Sequence, residues 1–494
     1  MQAVRFPEVD GRRSTTATGR VVLADAARAA DTALAARIES VEHWRRGYLV
    51  PARELTAAAA RAPQAALDIA RAGLESLRAR LAIGERPLAE AFAGPQPDPP
   101  PTAIVRGEAA PVRELVVPVD GEHLRGDALR RRLEAWTVRG VIEPSCAEAV
   151  RTVIDNPDWL SLADRRVALI GAGAEIGPLA PLTAWGAEVL AVDVPGRPVW
   201  ERILATVRGG AGTVHVPLAG TRDAQLADAA GLDLLAGLPT LRAWLAHSTA
   251  DAPLLLGMYV YDDGGRHVLA SAAFDALAAD LMAAREDVAL AFLATPTDSF
   301  LVPSDVVEAA RARWRGRGRR ALLQAPLRRL SRERLLAPAY GELLAGRDGR
   351  TWGLADALVP QQGPNYMLAK RVQRWRGVLS RGDGRSVSFN VAPSSWTRSV
   401  TRNRVLSAAY AGAGRFGVEI FHPQTTSALM AALLVHDLHR PDADRRVAAP
   451  PHPEDLFVAG AAHGGLWRTP YAPRSALTLA ALAGLPRSLA PGRR

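Results

Sequence analysis

Cysteine is almost missing from this 494-residue chain, where Cys146 stands alone. A single cysteine can form neither a disulfide within the chain nor a cysteine-based metal cluster. Lysine is equally scarce: of 61 basic side chains, 60 are arginine and one, Lys370, is lysine. Aromatic residues make up only 5%. No apolar run reaches the ~18 residues that span a bilayer. Residues 1–7 carry no signal-peptide core. The expectation is a cytoplasmic protein with no membrane partner. There is no internal repeat. The net charge of +10 raises the question of nucleic acid or an anionic substrate. The arginines are spread along the chain, and the densest stretch, Arg311–Arg320, is expected to be a solvated surface loop. No nucleic-acid partner is expected.

The lone lysine matters because positive charge is spelled as arginine everywhere else. Arginine stays protonated and presents a planar fork, whereas an ammonium is a compact donor whose pKa shifts on burial. A position that keeps lysine is a candidate for chemistry that arginine cannot perform. Lys370 follows Tyr366 by four residues. On a helix the phenol and the ammonium then share one face.

A hydrophobic share of 48% and a charged share of 23% are those of a globular protein, and the length allows two or three domains. Residues 21–92 are rich in Ala, Leu, Arg and Glu and predict two or three amphipathic helices. A proline linker follows at 94–101, then a strand at 114–119 and a helix over 124–139. From Arg166 onward, short apolar runs alternate with helical stretches, the pattern of a parallel α/β sheet. The runs are 167–170, 188–192, 213–216, 253–261, 288–293 and 386–391. They predict an α/β fold with a doubly wound parallel sheet (Rossmann-type). Residues 1–160 form a mostly helical N-terminal region, 161–400 the core, and 401–494 a C-terminal helical lid. The Arg-rich stretch at about 304–350 is expected to be an irregular insertion.

The first run enters Gly171-Ala-Gly-Ala-Glu-Ile-Gly177, spaced GxGxxxG, looser than the usual dinucleotide fingerprint. Such glycines let the backbone approach a pyrophosphate lying at a helix N-terminus. Gly171, Gly173 and Gly177 are therefore candidate cofactor residues. Asp193 ends the second run, 22 residues after Gly171, where a carboxylate can hydrogen-bond a ribose hydroxyl. That carboxylate repels the 2′-phosphate of NADP, a slight lean to NAD that Arg197 could reverse. Glu175 is expected to point to solvent.

Together these stretches resemble the short-chain dehydrogenase/reductase family, in a diverged and enlarged form, over about residues 164–400. The parts stand in the family's order: glycine turn, acid, then Tyr-x-x-x-Lys opening a long helix. The strand segment Val387-Ser-Phe-Asn-Val-Ala-Pro-Ser-Ser-Trp-Thr397 is similar to the family's segment beside the nicotinamide. The resemblance implies an NAD- or NADP-dependent oxidoreductase acting on a carbonyl, an alcohol or an activated double bond. It implies Tyr366 as proton donor or acceptor, Lys370 as the group that lowers its pKa and holds the ribose, and Pro393 and Thr397 beside the cofactor. A phenol with pKa near 10 is a poor base at neutral pH, and a nearby ammonium would stabilise the phenolate.

The chain departs from the family pattern in three places. The family's catalytic serine, about thirteen residues before the tyrosine, falls on Gly353. With 304–350 set aside, the fifth run ends at Ala294-Thr-Pro-Thr-Asp-Ser299, leaving Thr295, Thr297 and Ser299 to polarise the substrate oxygen, Ser299 ranked first. The family's asparagine after the fourth run is missing from Tyr261-Asp-Asp-Gly-Gly265, and Ser394 replaces the glycine after Pro393.

His436 and His439 have i, i+3 spacing but no Glu or Cys at ligand spacing, so no metal is expected. His463 and Asn390 are candidates for a substrate pocket, and Trp467 for packing. Two other functions stay open. Gly171, Gly173 and Asp193 also fit the first motif of an S-adenosylmethionine-dependent methyltransferase, although Leu169 stands where that motif carries an acid. The missing serine and asparagine leave room for a non-catalytic nucleotide-binding scaffold. The expected partner is a small-molecule substrate, with anionic or thioester-linked compounds among the options, and a homo-oligomer is also open.

Overall fold

The computed structural model describes residues 3–9, 11–219, 225–439 and 452–488. The protein is mixed α/β, built on a seven-stranded, mostly parallel sheet. Its strands, numbered in chain order, are β1 (Thr102–Arg106), β2 (Arg166–Ile170), β3 (Glu188–Val192), β4 (Thr213–Pro217), β5 (Leu254–Met258), β6 (Val288–Ala294) and β7 (Val387–Val391). Across the sheet they lie in the order β7-β6-β5-β2-β3-β4-β1. The six apolar runs of the sequence are the six parallel strands. β1 is an addition: it leaves the proline linker and pairs antiparallel with β4, Thr213 opposite Arg106. The chain crosses over between β4 and β5, so β2 and β5 are parallel neighbours from which the chain goes on to opposite sides of the sheet, to β3 and to β6.

Both faces of the sheet are covered, which is why its strands are apolar at consecutive positions. Ala168 and Ile170 of β2 enter one core, Val167 and Leu169 the other. The first core takes helices Thr15–Arg28, Pro63–Arg80, Gly265–Ala284 and Gly363–Gly382; the second takes Pro144–Asp155, Arg197–Arg208 and Pro423–His439. Each fully buried Leu, Ile or Phe contributes roughly 1.5–3 kcal/mol.

Where two or three helices were expected over residues 21–92, the chain forms five α-helices: Thr15–Arg28, Thr32–Glu39, Trp44–Gly47, Leu49–Ala59 and Pro63–Arg80. They share the first core with the sheet. At Gly73 a Cβ would lie 2.4 Å from the Trp375 ring, so glycine is what allows helix 63–80 to approach helix 363–382 so closely. Helix Gly265–Ala284 is long and apolar enough to cross a membrane by length and composition, but 78% of that apolar window is buried inside the fold. Within the segment expected as a lid, Pro423–His439 is a buried helix under the second face; residues 440–451 and 489–494 of that segment lie outside the described residues.

The 304–350 stretch is more regular than expected. Strand Ser299–Pro303 pairs antiparallel with Thr351–Asp356, and helices Ser304–Arg315 and Arg319–Leu330 lie between them. Gly353, where counting places the family serine, sits in this small sheet. A Cβ there would lie 2.1 Å from Val307, so the position is packed shut.

Candidate functional site

β5 and β6 end side by side and release the segments Tyr259-Val-Tyr261 and Thr295-Pro-Thr-Asp298. Helix Gly363–Gly382 connects this edge back to β7, with Pro364 in its first turn, where a missing N–H costs nothing. Tyr366 lies in that first turn and Lys370 one turn further on. The Thr295 side chain lies close to the Tyr366 phenol and favours its ionised form. Thr295 Oγ1 lies 2.7 Å from Thr297 Oγ1, which accepts from Gln362 Nε2 at 2.7 Å. Around the phenol stand Tyr261 and His267, their ring centroids 6.1 Å and 5.5 Å from that of Tyr366 and 5.6 Å from each other.

His267 is wholly buried, and neither of its ring nitrogens has a hydrogen-bond partner. Burial, with the Lys370 charge second, pushes its pKa down to about 3. It is therefore a neutral imidazole with unused donor and acceptor capacity, an arrangement that costs free energy unless something pairs with it. Sequence reasoning passed over this histidine because it belongs to no motif. Its signal was positional: it opens the helix after β5, with Ser271 one turn on, and faces the tyrosine helix.

Lys370 donates to the Leu293 carbonyl at 3.2 Å and to Gln373 Oε1 at 3.1 Å; Gln373 Nε2 donates to Ser271 Oγ at 3.1 Å. Burial lowers the ammonium pKa to about 8, opposed by Asp298. Tyr366 corrects an expectation. Burial raises its pKa, the Thr295 side chain lowers it, and Tyr261, Tyr410 and Asp298 raise it further. The phenol is thus held protonated rather than poised as a phenolate: desolvation dominates, and the Lys370 ammonium spends its hydrogen bonds on Leu293 and Gln373.

Ser299 is also corrected. It is wholly buried, 2.7 Å from Thr56 Oγ1, and accepts from Arg371 Nη2 at 2.7 Å. Behind it Asp298 accepts from Arg374 Nη1 at 3.2 Å, and Arg374 Nη2 reaches Glu454 at 2.7 Å. This network ties the β6 end to the N-terminal helices. Of the three candidate hydroxyls it is Thr295 that meets the phenol.

The glycine turn lies beyond the end of β2. Gly171 has φ +88°, and a Cβ there would lie 2.6 Å from Val260 N, so glycine lets the segment after β5 pass beside the turn. Asp193 Oδ2 accepts from Gly173 N at 2.8 Å and Oδ1 from Val194 N at 2.9 Å. Burial raises its pKa, and the two backbone donors oppose that rise. Gly177 offers its carbonyl to Ser427 Oγ at 2.6 Å. Glu175 is exposed, and there it accepts from Arg398 N at 2.8 Å and from Arg398 Nε at 2.6 Å. Arg398 follows Thr397, so this pair joins the glycine turn to the segment after β7. Pro393 offers its carbonyl to Ser395 Oγ at 2.9 Å, and Thr397 Oγ1 lies 3.0 Å from Ser399 Oγ. His463 lies elsewhere, buried against Glu143 at 2.8 Å and stacked on Trp467, where both serve packing.

The edge thus gathers a protonated phenol, a lysine of lowered pKa, an unpartnered imidazole and a threonine hydroxyl at the ends of β5 and β6, beside a glycine turn at the end of β2. The chain matches no protein-family model and no curated protein.

Proposed function

We propose that this chain is an NAD(P)-dependent oxidoreductase of short-chain dehydrogenase/reductase type on a Rossmann-type core, working as a reductase of a carbonyl or an activated double bond. The observation that carries the reading is the Tyr366 phenol, set among Tyr261, His267 and Thr295 and one helical turn from the only lysine. Its position supports the same reading. Ligands of open α/β sheets bind outside the carboxyl ends of the strands where the strand order reverses, and here that point lies between β2 and β5.

The residues present fit a dinucleotide. Each Asp193 oxygen accepts one backbone N–H and keeps acceptor capacity for a ribose hydroxyl. Arg197 is engaged by Glu201 at 2.8 Å and Asp228 at 3.2 Å, which strengthens the lean to NAD. Gly171, Gly173 and Gly177 would line the pyrophosphate, and Arg398 would offset the charge of Glu175 beside it. Pro393 and Thr397 would flank the nicotinamide, and Lys370 would hold its ribose. A reduced nicotinamide, when bound, supplies the hydride.

The protein's part is proton transfer and orientation. As hydride adds to the substrate carbon, the Tyr366 O–H gives its proton to the substrate oxygen. The phenolate left behind is stabilised by the Thr295 hydroxyl and by the positive charge of Lys370. A phenol is protonated throughout the neutral range, which suits this direction. Tyr261 and His267 present ring edges beside the phenol, which favours an apolar or aromatic substrate. Following NADH or NADPH absorbance with aromatic aldehydes, ketones and enones as substrates tests the reading. Turnover that falls by about 10²-fold or more in Tyr366→Phe supports it; turnover untouched by that change overturns it.

A further inference from the structure

Helix Arg319–Leu330 is mounted inside out. It buries none of its residues. The side turned to the protein carries Ala321, Gln324, Ala325 and Arg328, spaced i, i+3, i+4, i+7. Gln324 Nε2 donates to the Tyr471 hydroxyl at 2.8 Å, and the Arg328 guanidinium lies 5.4 Å from the Trp314 ring centroid. The outward side carries Leu322, Leu323 and Leu330, 76%, 80% and 84% exposed, with Leu327 at 39% beside them. An ordinary surface helix turns its leucines inward and its polar residues to water. This one does the reverse, and four clustered exposed leucines mark a surface made to be covered.

The charge around it is as unusual. Residues 311–334 hold ten arginines and one acid, Glu333, a net +9 in a chain whose whole net charge is +10. Arg328 pairs with Glu333 at 2.6 Å. Arg319, Arg320 and Arg329, which flank the leucines, have no acidic partner among the described residues.

We propose that this helix docks the protein on an anionic phospholipid surface, with the leucines entering the boundary between headgroups and acyl chains and the flanking arginines meeting phosphates. Arg-rich helices that carry an apolar face lie in that interface plane, held jointly by buried apolar area and by attraction to anionic lipid. Nucleic acid would satisfy the arginines and leave the leucines in water. A second copy of the chain would cover the leucines but bring Arg319, Arg320 and Arg329 against their own counterparts. A lipid surface answers to both features. The expectation of no membrane partner rested on the absence of a spanning run, and a helix lying in the interface needs none.

The test is co-sedimentation of the full chain with vesicles of phosphatidylcholine alone and of phosphatidylcholine containing phosphatidylglycerol. The expected result is binding to the anionic vesicles, about tenfold or more weaker to the neutral ones. The triple change Leu322→Ser, Leu323→Ser, Leu330→Ser and the triple change Arg319→Gln, Arg320→Gln, Arg329→Gln should each weaken it by about tenfold or more. Neither should alter the melting temperature, because these side chains make no buried contact. In a parallel measurement, Leu323→Cys carries a polarity-sensitive dye, Cys146 being buried, and its emission should shift to the blue on anionic vesicles. No binding to either vesicle overturns the proposal. So does binding that the leucine changes leave intact, or a dimer that those changes disperse.

Discussion

The rings of His267 and Tyr366 lie 5.5 Å apart and 63° from coplanar, and the histidine between Tyr261 and Tyr366 has both nitrogens unpartnered. Such an imidazole resists protonation. Its folded pKa of about 3 lies below the ordinary 6.5, so the unfolded chain binds the extra proton first. Its effect on stability is absent above pH 6.5 and grows as pH falls towards 3, at up to about 1.4 kcal/mol per pH unit. Denaturant unfolding of wild type and His267→Phe at pH 7 and pH 5 checks this. The wild type should lose about 1–2 kcal/mol more than the variant over that interval.

Thr295 and Ser299 lie four residues apart and are expected to part company in experiment. Thr295→Val removes the hydroxyl beside the phenol and should lower turnover about tenfold or more while leaving the fold intact. Ser299→Ala deprives Arg371 and Thr56 of a buried partner. It should cost about 1–3 kcal/mol of stability with little change in kcat. Parallel melting curves and rates separate the two.

That contrast marks where the sequence stopped being legible. The six parallel strands were plain, because a sheet buried on both faces needs unbroken apolar runs such as Val167–Ile170. The i, i+4 spacing of Tyr366 and Lys370 likewise placed both on the helix between β6 and β7. A hydroxyl in the turn after β6 has no such periodicity. Once Pro296 breaks the strand, spacing no longer reveals that Thr295 faces the phenol while Ser299 opens a new strand and turns into the core. β1 was hidden by brevity, five residues after a proline linker at the sheet edge. The outward leucines of Arg319–Leu330 were illegible for another reason: their pattern is that of a helix packed on its leucines, and only the fold reveals the side that packs.

Lys370 should respond to pH from the alkaline side. Its pKa of about 8 lies below the ordinary 10.5 because of burial, so the ammonium proposed to steady a phenolate is lost as pH rises through 8. The reductive kcat should be flat from about pH 6 to 7.5 and decline above pH 8, and Lys370→Met should be slower by about 10²-fold with that decline removed. Lys370→Arg keeps the charge but not the compact donor, and should cost a similar factor with folding unchanged.

Away from the site, Glu143 is buried between His463 at 2.8 Å and Arg468 at 2.6 Å. Although burial opposes it, these partners hold the carboxyl at about 2, below the ordinary 4.5. Its contribution is full above pH 4.5 and is lost as pH falls towards 2. Glu143→Gln leaves the Arg468 guanidinium without its main partner and should cost about 3 kcal/mol at pH 7, measured by denaturant unfolding.

Titration of the purified protein with NADH and with NADPH, followed by cofactor fluorescence, asks whether this sheet edge holds a nicotinamide dinucleotide as proposed. Saturable binding of NADH is expected with Kd between about 1 μM and 1 mM, tighter than that of NADPH. In Asp193→Ser the preference should move towards NADPH, since the carboxylate proposed to repel the 2′-phosphate is gone. Absence of saturable binding by either dinucleotide would refute the proposed cofactor.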